Sequence, residues 1–204
     1  MPITREEHVL YTRKELLNYE YYINVINKLK NENIVSYIDI GANVGEFCNV
    51  LFEQLQTLKM GYLIEPETEN YIFMLNNVVN KNNITPINVG IGYNIKNATL
   101  VNDNNNVGGF KIKENFDGQK ITIKTLEELD LPIVDLVKID VEGLEYNIIE
   151  NSSYLQKIKW VEIEFHDYEN KPLKEYVKTY FPNHSIIEIE KLEGRCLLKK
   201  NNYE

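Results

Sequence analysis

The chain has 204 residues, with 22 basic against 31 acidic side chains and a formal net charge of −9. That length suits one α/β domain with a substantial core, and no linker rich in Pro, Gly or Ser divides it, so residues 1–204 read as a single domain. The acidic balance disfavours nucleic acid as a partner; no apolar run is long enough to span a membrane, and the opening MPITREEHVL lacks a signal peptide's apolar core, which predicts a cytoplasmic protein.

Between Thr4 and Asn31, the residues Leu16, Tyr19, Ile23, Ile26 and Leu29 recur at three- and four-residue steps. This predicts an amphipathic N-terminal helical region, 1–34, packed across a sheet edge or over the site. A strand at 37–40, a helix at 46–58, a strand at 62–64, a helix to about 80 and a strand at 85–89 follow, and such βα units in succession imply a parallel sheet. Residues 98–124 then change rhythm to period-two alternation with turn residues, predicting a β-hairpin insertion whose 102–109 loop is a candidate lid. The parallel pattern resumes with a helix at 126–129, a strand at 136–139, a helix at 144–151, a strand at 160–165 and a helix at 172–180. Two closing strands, 185–189 and 195–198, are separated only by KLEG, too short for a helical crossover, so they should be antiparallel neighbours. The fold expected is α/β: a Rossmann-like, seven-stranded, mostly parallel sheet with an antiparallel last strand, as in class I methyltransferases. Cys48 and Cys196 have no metal-ligand spacing and read as reduced, buried side chains.

The chemistry concentrates at strand ends. SYIDIGANVGEF carries an apolar run into Asp39 and a turn bracketed by Gly41 and Gly45, and GYLIEP ends on Glu65, twenty residues beyond Gly45. In open α/β sheets this arrangement lets backbone approach a ligand while the second carboxylate holds ribose hydroxyls. A dinucleotide fingerprint needs GxGxxG, whereas Asn43 and Glu46 stand where two of its glycines would be, and Glu46 places a carboxylate beside incoming phosphates. S-adenosylmethionine, which has no phosphate, fits better. Later, Lys138 and Asp140 share one face of VKID, and Glu162, Glu164 and His166 share one face of VEIEFH. Adjacent strands would converge these groups, with Asp140 and His166 at the mouth, Glu164 nearby, and Lys138 and Glu162 deeper as structural partners.

DIGANVGEF, the strand ending in IEP, KIDVEGLEYNII and EIEFH occur in this order between Ser36 and Asp167, and together the chain resembles the FkbM-type methyltransferase family. The resemblance implies S-adenosylmethionine as donor and a hydroxyl acceptor, on a sugar, glycan or secondary metabolite. For that donor, backbone of Gly41, Asn43 and Gly45 is expected around the methionine portion, Asp39 near its amino group, Glu65 on the ribose, and Asn88 and Val89 beside the adenine. His166 is expected as proton acceptor with Asp140 in support. A Mg²⁺ or Mn²⁺ ion on Asp140, Glu164 and His166 is the competing arrangement. A nucleotide-dependent oxidoreductase and a non-catalytic binding module that keeps the fold are the alternatives.

Overall fold

The computed structural model describes residues 3–102, 107–166, 172–190 and 194–201. Residues 103–106 of the expected lid loop and residues 191–193 of KLEG lie outside these.

Two helices precede the sheet, α1 (Arg5–Asn18) and α2 (Glu20–Lys30). The continuous helical region expected here is broken at Tyr19, whose backbone is extended (φ −81°, ψ 128°). The break resets the helical phase. Leu16 is buried before it and Tyr22, Val25, Ile26 and Leu29 after it, while Ile23, expected on the apolar face, is 38% exposed. A capping box between Thr4 and Glu7 starts α1, which buries only Leu16.

The sheet begins with β1 (Ser36–Ile40), α3 (Glu46–Gln54), β2 (Met60–Ile64), α4 (Thr68–Asn77), β3 (Ile84–Ile87) and the short β4 (Gly90–Ile91). The excursion contains β5 (Ala98–Asn102), β6 (Phe110–Glu114), β7 (Gln119–Lys120) and β8 (Ile123–Lys124). After it come β9 (Leu136–Ile139), α5 (Glu145–Asn151), β10 (Trp160–Glu164), α6 (Leu173–Tyr180), β11 (His184–Glu190) and β12 (Arg195–Lys200). The seven-stranded sheet has the order β11-β12-β10-β9-β1-β2-β3. Strands β3, β2, β1, β9 and β10 are parallel, and β12 runs antiparallel to both its neighbours, as expected. In the excursion, β5 pairs antiparallel with β6 and β7, and β8 leaves to pair parallel with β4.

Three helices are shorter than their patterns suggested. After α3, Leu55 turns extended so that it and Leu58 enter the core; after α4, Val78 does the same and packs against the Gly45 turn. Of 126–129, only the 3₁₀ turn Glu127–Leu129 forms. In the first two cases burial of an apolar side chain outweighs continuation of the helix.

Register decides which side chains meet. Asp39 on β1, Lys138 on β9 and Glu162 on β10 stand abreast, all three buried. They share the face covered by α2 and α3, where the Tyr21 hydroxyl donates to Glu162 Oε1 (3.2 Å) and Lys138 Nζ lies 5.3 Å from the Phe47 ring centroid. The opposite face, with Ile38, Ile40, Val137, Ile139, Val161 and Ile163, forms a wholly apolar core with Ile148 and Phe181. Cys48 and Cys196 are buried and free. Among the described residues no helix is long and apolar enough to cross a membrane.

Candidate active site

The carboxyl ends of β1, β2 and β9 open into a cavity of about 290 Å³, roofed by α1 and by part of the excursion. Its glycine turn is shaped by the protein's own packing. Gly41 has φ +86°, and a Cβ there would stand 1.7 Å from the Asp140 carbonyl oxygen, so only glycine lets the turn pass the end of β9. Gly45, at φ +79°, is less crowded: a Cβ there would stand 2.7 Å from Val78 and 2.9 Å from Met74 side-chain carbons. The N–H groups of Gly41 and Ala42 both donate to the Ile64 carbonyl (2.9 and 3.0 Å), tying the turn to β2.

Glu65 connects two turns. Its Oε2 accepts the Asn43 N–H and its Oε1 the Glu67 N–H, each at 2.8 Å, and Asn88 Nδ2 donates to its carbonyl (2.8 Å). Burial pushes the carboxyl up to about 7 against the pull of those two N–H groups. Glu65, Gly41, Asn43 and Val89 line the cavity; Asn88, which holds the Glu65 backbone, and Gly45, at the start of α3, do not. Asp39 lies below the wall, fully buried, 3.7 Å from Lys138 Nζ, and burial raises its carboxyl to about 6 with Lys138 opposing.

At the mouth, Lys138 Nζ donates to Asp140 Oδ2 (3.0 Å). Burial works to raise the Asp140 carboxyl, but Lys138 and nearby His166 hold it below its ordinary range. Deeper, Glu162 is pushed by burial up to about 8, Lys138 again opposing. Lys138 thus stands among Asp39, Asp140 and Glu162 as the structural partner expected.

The residues beyond Asp140 supply two groups the sequence reading passed over. Glu142 (φ +55°) lines the cavity with its carboxylate 3.4 Å from His166 Nε2. Glu145, fully buried at the start of α5, takes His166 Nδ1 at 2.8 Å and also accepts the Gly143 and Val141 N–H groups (3.0 and 3.3 Å). Burial opposes protonation of His166, yet the hydrogen bond and charge of Glu145, with Asp140 and Glu142, raise it to about 9. Both imidazole nitrogens therefore face carboxylates. The signal was available in VEGLE, two carboxylates within five residues of Asp140, but only the turn shows that both bend back onto the imidazole.

Glu164, a member of the competing ligand trio, is engaged elsewhere. It is drawn to Arg195, which places Nη2 3.0 Å from Oε1 and Nε 3.0 Å from Oε2. The described residues with metal-ligand atoms close together are instead Asp140, Glu142 and His166. Arg195 also reaches Glu15 of α1 (2.8 Å) and lies near the rings of Tyr19 and Tyr22 (5.3 and 5.0 Å). Further ion pairs fasten α1: Arg5 to Glu67 (3.2 Å) and Arg13 to Glu46 (2.7 Å). His8, Tyr11, Thr12 and Glu15 of α1 thereby roof the cavity, opposite Gly108, Phe110 and Ile112 of the excursion. Long-range pairing of this kind has no local sequence pattern.

The site also tests the kind of nucleoside that fits. Glu46 is buried in the first turn of α3, accepting from Arg13, Asn49 and Asn77, and a carboxylate there disfavours a diphosphate, which needs free N–H groups at a helix start. A sulfonium nucleoside makes no such demand, while the Glu65 carboxylate in the wall suits a ribose diol.

No curated protein matches the sequence. The fold is similar to the crystal structure of a methyltransferase FkbM from Methylobacillus flagellatus KT, with a TM-score of 0.55 and 17% identity over 96% of this chain and 59% of that one. It is also similar to a human methyltransferase 10 domain containing protein (TM-score 0.55, 15% identity, 97% of this chain and 96% of that) and to a METTL16 MTase domain (TM-score 0.53, 20% identity, 92% and 68%). These likenesses establish a Rossmann-like class I methyltransferase fold, and the chain spans somewhat over half the length of the Methylobacillus structure. The model of the methyltransferase FkbM domain matches residues 39–192, beginning at the buried carboxylate of β1. Since that span is well over half of the chain, the protein belongs to the FkbM methyltransferase domain family.

Proposed function

We propose that the protein is an S-adenosylmethionine-dependent O-methyltransferase acting on a hydroxyl of a sugar, glycan or secondary metabolite. The observation that carries this reading is the cavity wall, in which Glu65, held by two backbone N–H groups, and Asp140 open into one space. Gly41 and Asn43 would border the methionine portion, Glu65 the ribose and Val89 the adenine, while Asp39, Gly45 and Asn88 act from behind by holding the turn and strand ends. The donor supplies, when bound, an activated methyl on a sulfonium sulfur. What remains for the chain is to align the acceptor hydroxyl and to take its proton.

Asp140 is the group suited to that proton transfer. It lines the cavity, and Lys138 and His166 keep it ionised. His166 is assigned a supporting role instead of the direct one expected, because Glu145 and Glu142 engage both its nitrogens. Glu164 neutralises Arg195 and helps hold α1 over the cavity.

The acceptor class follows from charge. Glu15, Glu65, Asp140, Glu142 and Glu164 line the cavity, and Arg195 is already paired with two of them. Such a wall repels a phosphate backbone and suits an uncharged polyol. The test is incubation with methyl-labelled S-adenosylmethionine and separated pools of glycans, nucleotide sugars, metabolites and RNA. Base-stable label on a hydroxyl-bearing small molecule or glycan is expected. Label in RNA alone, or stabilisation by NAD but not by adenosylhomocysteine, would refute the proposal.

A further inference from the structure

We propose that Asp140, Glu142 and His166 form a divalent-cation site at the mouth of the cavity, with two carboxylates and one imidazole suited to an ion such as Mn²⁺. Their ligand atoms all lie within 4.8 Å of one another, and His166 Nε2 is 3.4 Å from Glu142 Oε2. Ligands about 2.1 Å from one ion stand about 3 Å apart at right angles and about 4.2 Å apart when opposite, so the spacing needs only a small contraction. Mixed oxygen and imidazole donors match Mn²⁺ and its first-row neighbours.

The orientation of the histidine comes from outside the trio. Glu145, fully buried and fixed by the Gly143 and Val141 N–H groups, takes His166 Nδ1 at 2.8 Å. With one proton held on Nδ1, a cation that displaces the other meets the Nε2 lone pair on the side where Glu142 and Asp140 stand. Carboxylate support behind a ligating imidazole is the usual outer shell of a metal site. Lys138 occupies Oδ2 of Asp140 and leaves the carboxylate its other oxygen. Three carboxylates, Asp140, Glu142 and Glu145, surround the imidazole and Lys138 is paired with the first of them, so beside a neutral imidazole two negative charges remain for a dication to offset. Asp140 and Glu142 line the cavity, so open coordination positions would face the entering acceptor. Binding of the cation stands on this geometry alone; a role in holding the acceptor hydroxyl rests on the methyltransferase reading.

The test uses the full chain, freed of metal by dialysis against EDTA and titrated with Mn²⁺ while free Mn²⁺ is followed by electron paramagnetic resonance. Calorimetry with adenosylhomocysteine runs on the same preparation. One Mn²⁺ per chain is expected, weakened at least about tenfold in Glu142→Gln and His166→Gln. Glu145→Gln, which alters the support and not the ligands, should weaken it about 10- to 100-fold. Thermal melting shows which variants are folded, and Glu142, partly exposed in a turn, gives the variant least able to disturb the core. Absence of binding to the folded wild type at about 1 mM Mn²⁺, or undiminished binding to folded Glu142→Gln, overturns the proposal. Adenosylhomocysteine binding without Mn²⁺ binding rejects the cation site and keeps the donor reading. Mn²⁺ binding without adenosylhomocysteine binding does the reverse.

Discussion

Replacing Glu65 by alanine separates the two roles of that carboxylate. Glu65 is 5% exposed, and its two oxygens accept the N–H groups of Asn43 and Glu67, so it joins the turn after β1 to the turn after β2. Hydrogen bonds to a charged acceptor contribute about 1.5–3 kcal/mol each. Alanine would leave both buried N–H groups unpaired, while relief of the burial that lifts this carboxyl to about 7 recovers part of the loss. The net expectation is destabilisation by about 2–4 kcal/mol, which for a chain of this size lowers the melting temperature by about 4–16 °C. Glu65→Gln keeps one carbonyl acceptor and should lose about half as much. Urea denaturation of the three proteins measures the first role. The second is measured by calorimetry with adenosylhomocysteine below the melting point of Glu65→Gln, where affinity should fall at least about tenfold. An alanine variant with the wild-type urea midpoint would falsify the account of the turns, and unchanged ligand affinity in folded Glu65→Gln would remove the ribose assignment.

Three further outcomes follow from Glu162, Gly41 and Arg195. Glu162 titrates near 4.5 when unfolded and about 8 in the fold, so its contribution to stability is whole below pH 4.5 and is lost as pH rises to 8. Glu162→Gln has no such proton to lose; from pH 5 to 9 its stability relative to wild type should rise by about 4 kcal/mol, and parallel denaturation curves would contradict this. Gly41→Ala forces a Cβ into the Asp140 carbonyl at a left-handed backbone position, so it should cost at least about 3 kcal/mol and abolish adenosylhomocysteine binding; a wild-type melting curve would refute the close approach. Arg195→Met strands Glu164 and releases Glu15, with an expected loss of about 3 kcal/mol and faster limited proteolysis within α1. Cleavage at the wild-type rate would show that α1 is held by other contacts.

Much of the fold was legible because its signals are local. Apolar strands carrying Asp39 or running into Glu65 and Asp140, turn glycines after β1, and a final pair of strands too close for a crossover are each visible within about ten residues. Alternation along VKID and VEIEFH also set which charges share a face, and hence the partnership of Lys138 with its carboxylate neighbours. Helix ends were misplaced at Leu55 and Val78, and the break at Tyr19 was missed, because tertiary burial overrides helical propensity there.

The sequence by itself determined the order of elements, the family and the strand ends that build the cavity, since these depend on periodicity and on residue type at fixed spacing. Only the tertiary structure decided that Glu164 belongs to Arg195, that Glu142 and Glu145 enclose His166, and that His8, Tyr11 and Thr12 roof the cavity. Those pairings join residues tens of positions apart, or turn on a single left-handed peptide at Glu142. Electrostatic partners are chosen by distance in space, and one-dimensional spacing carries no record of it.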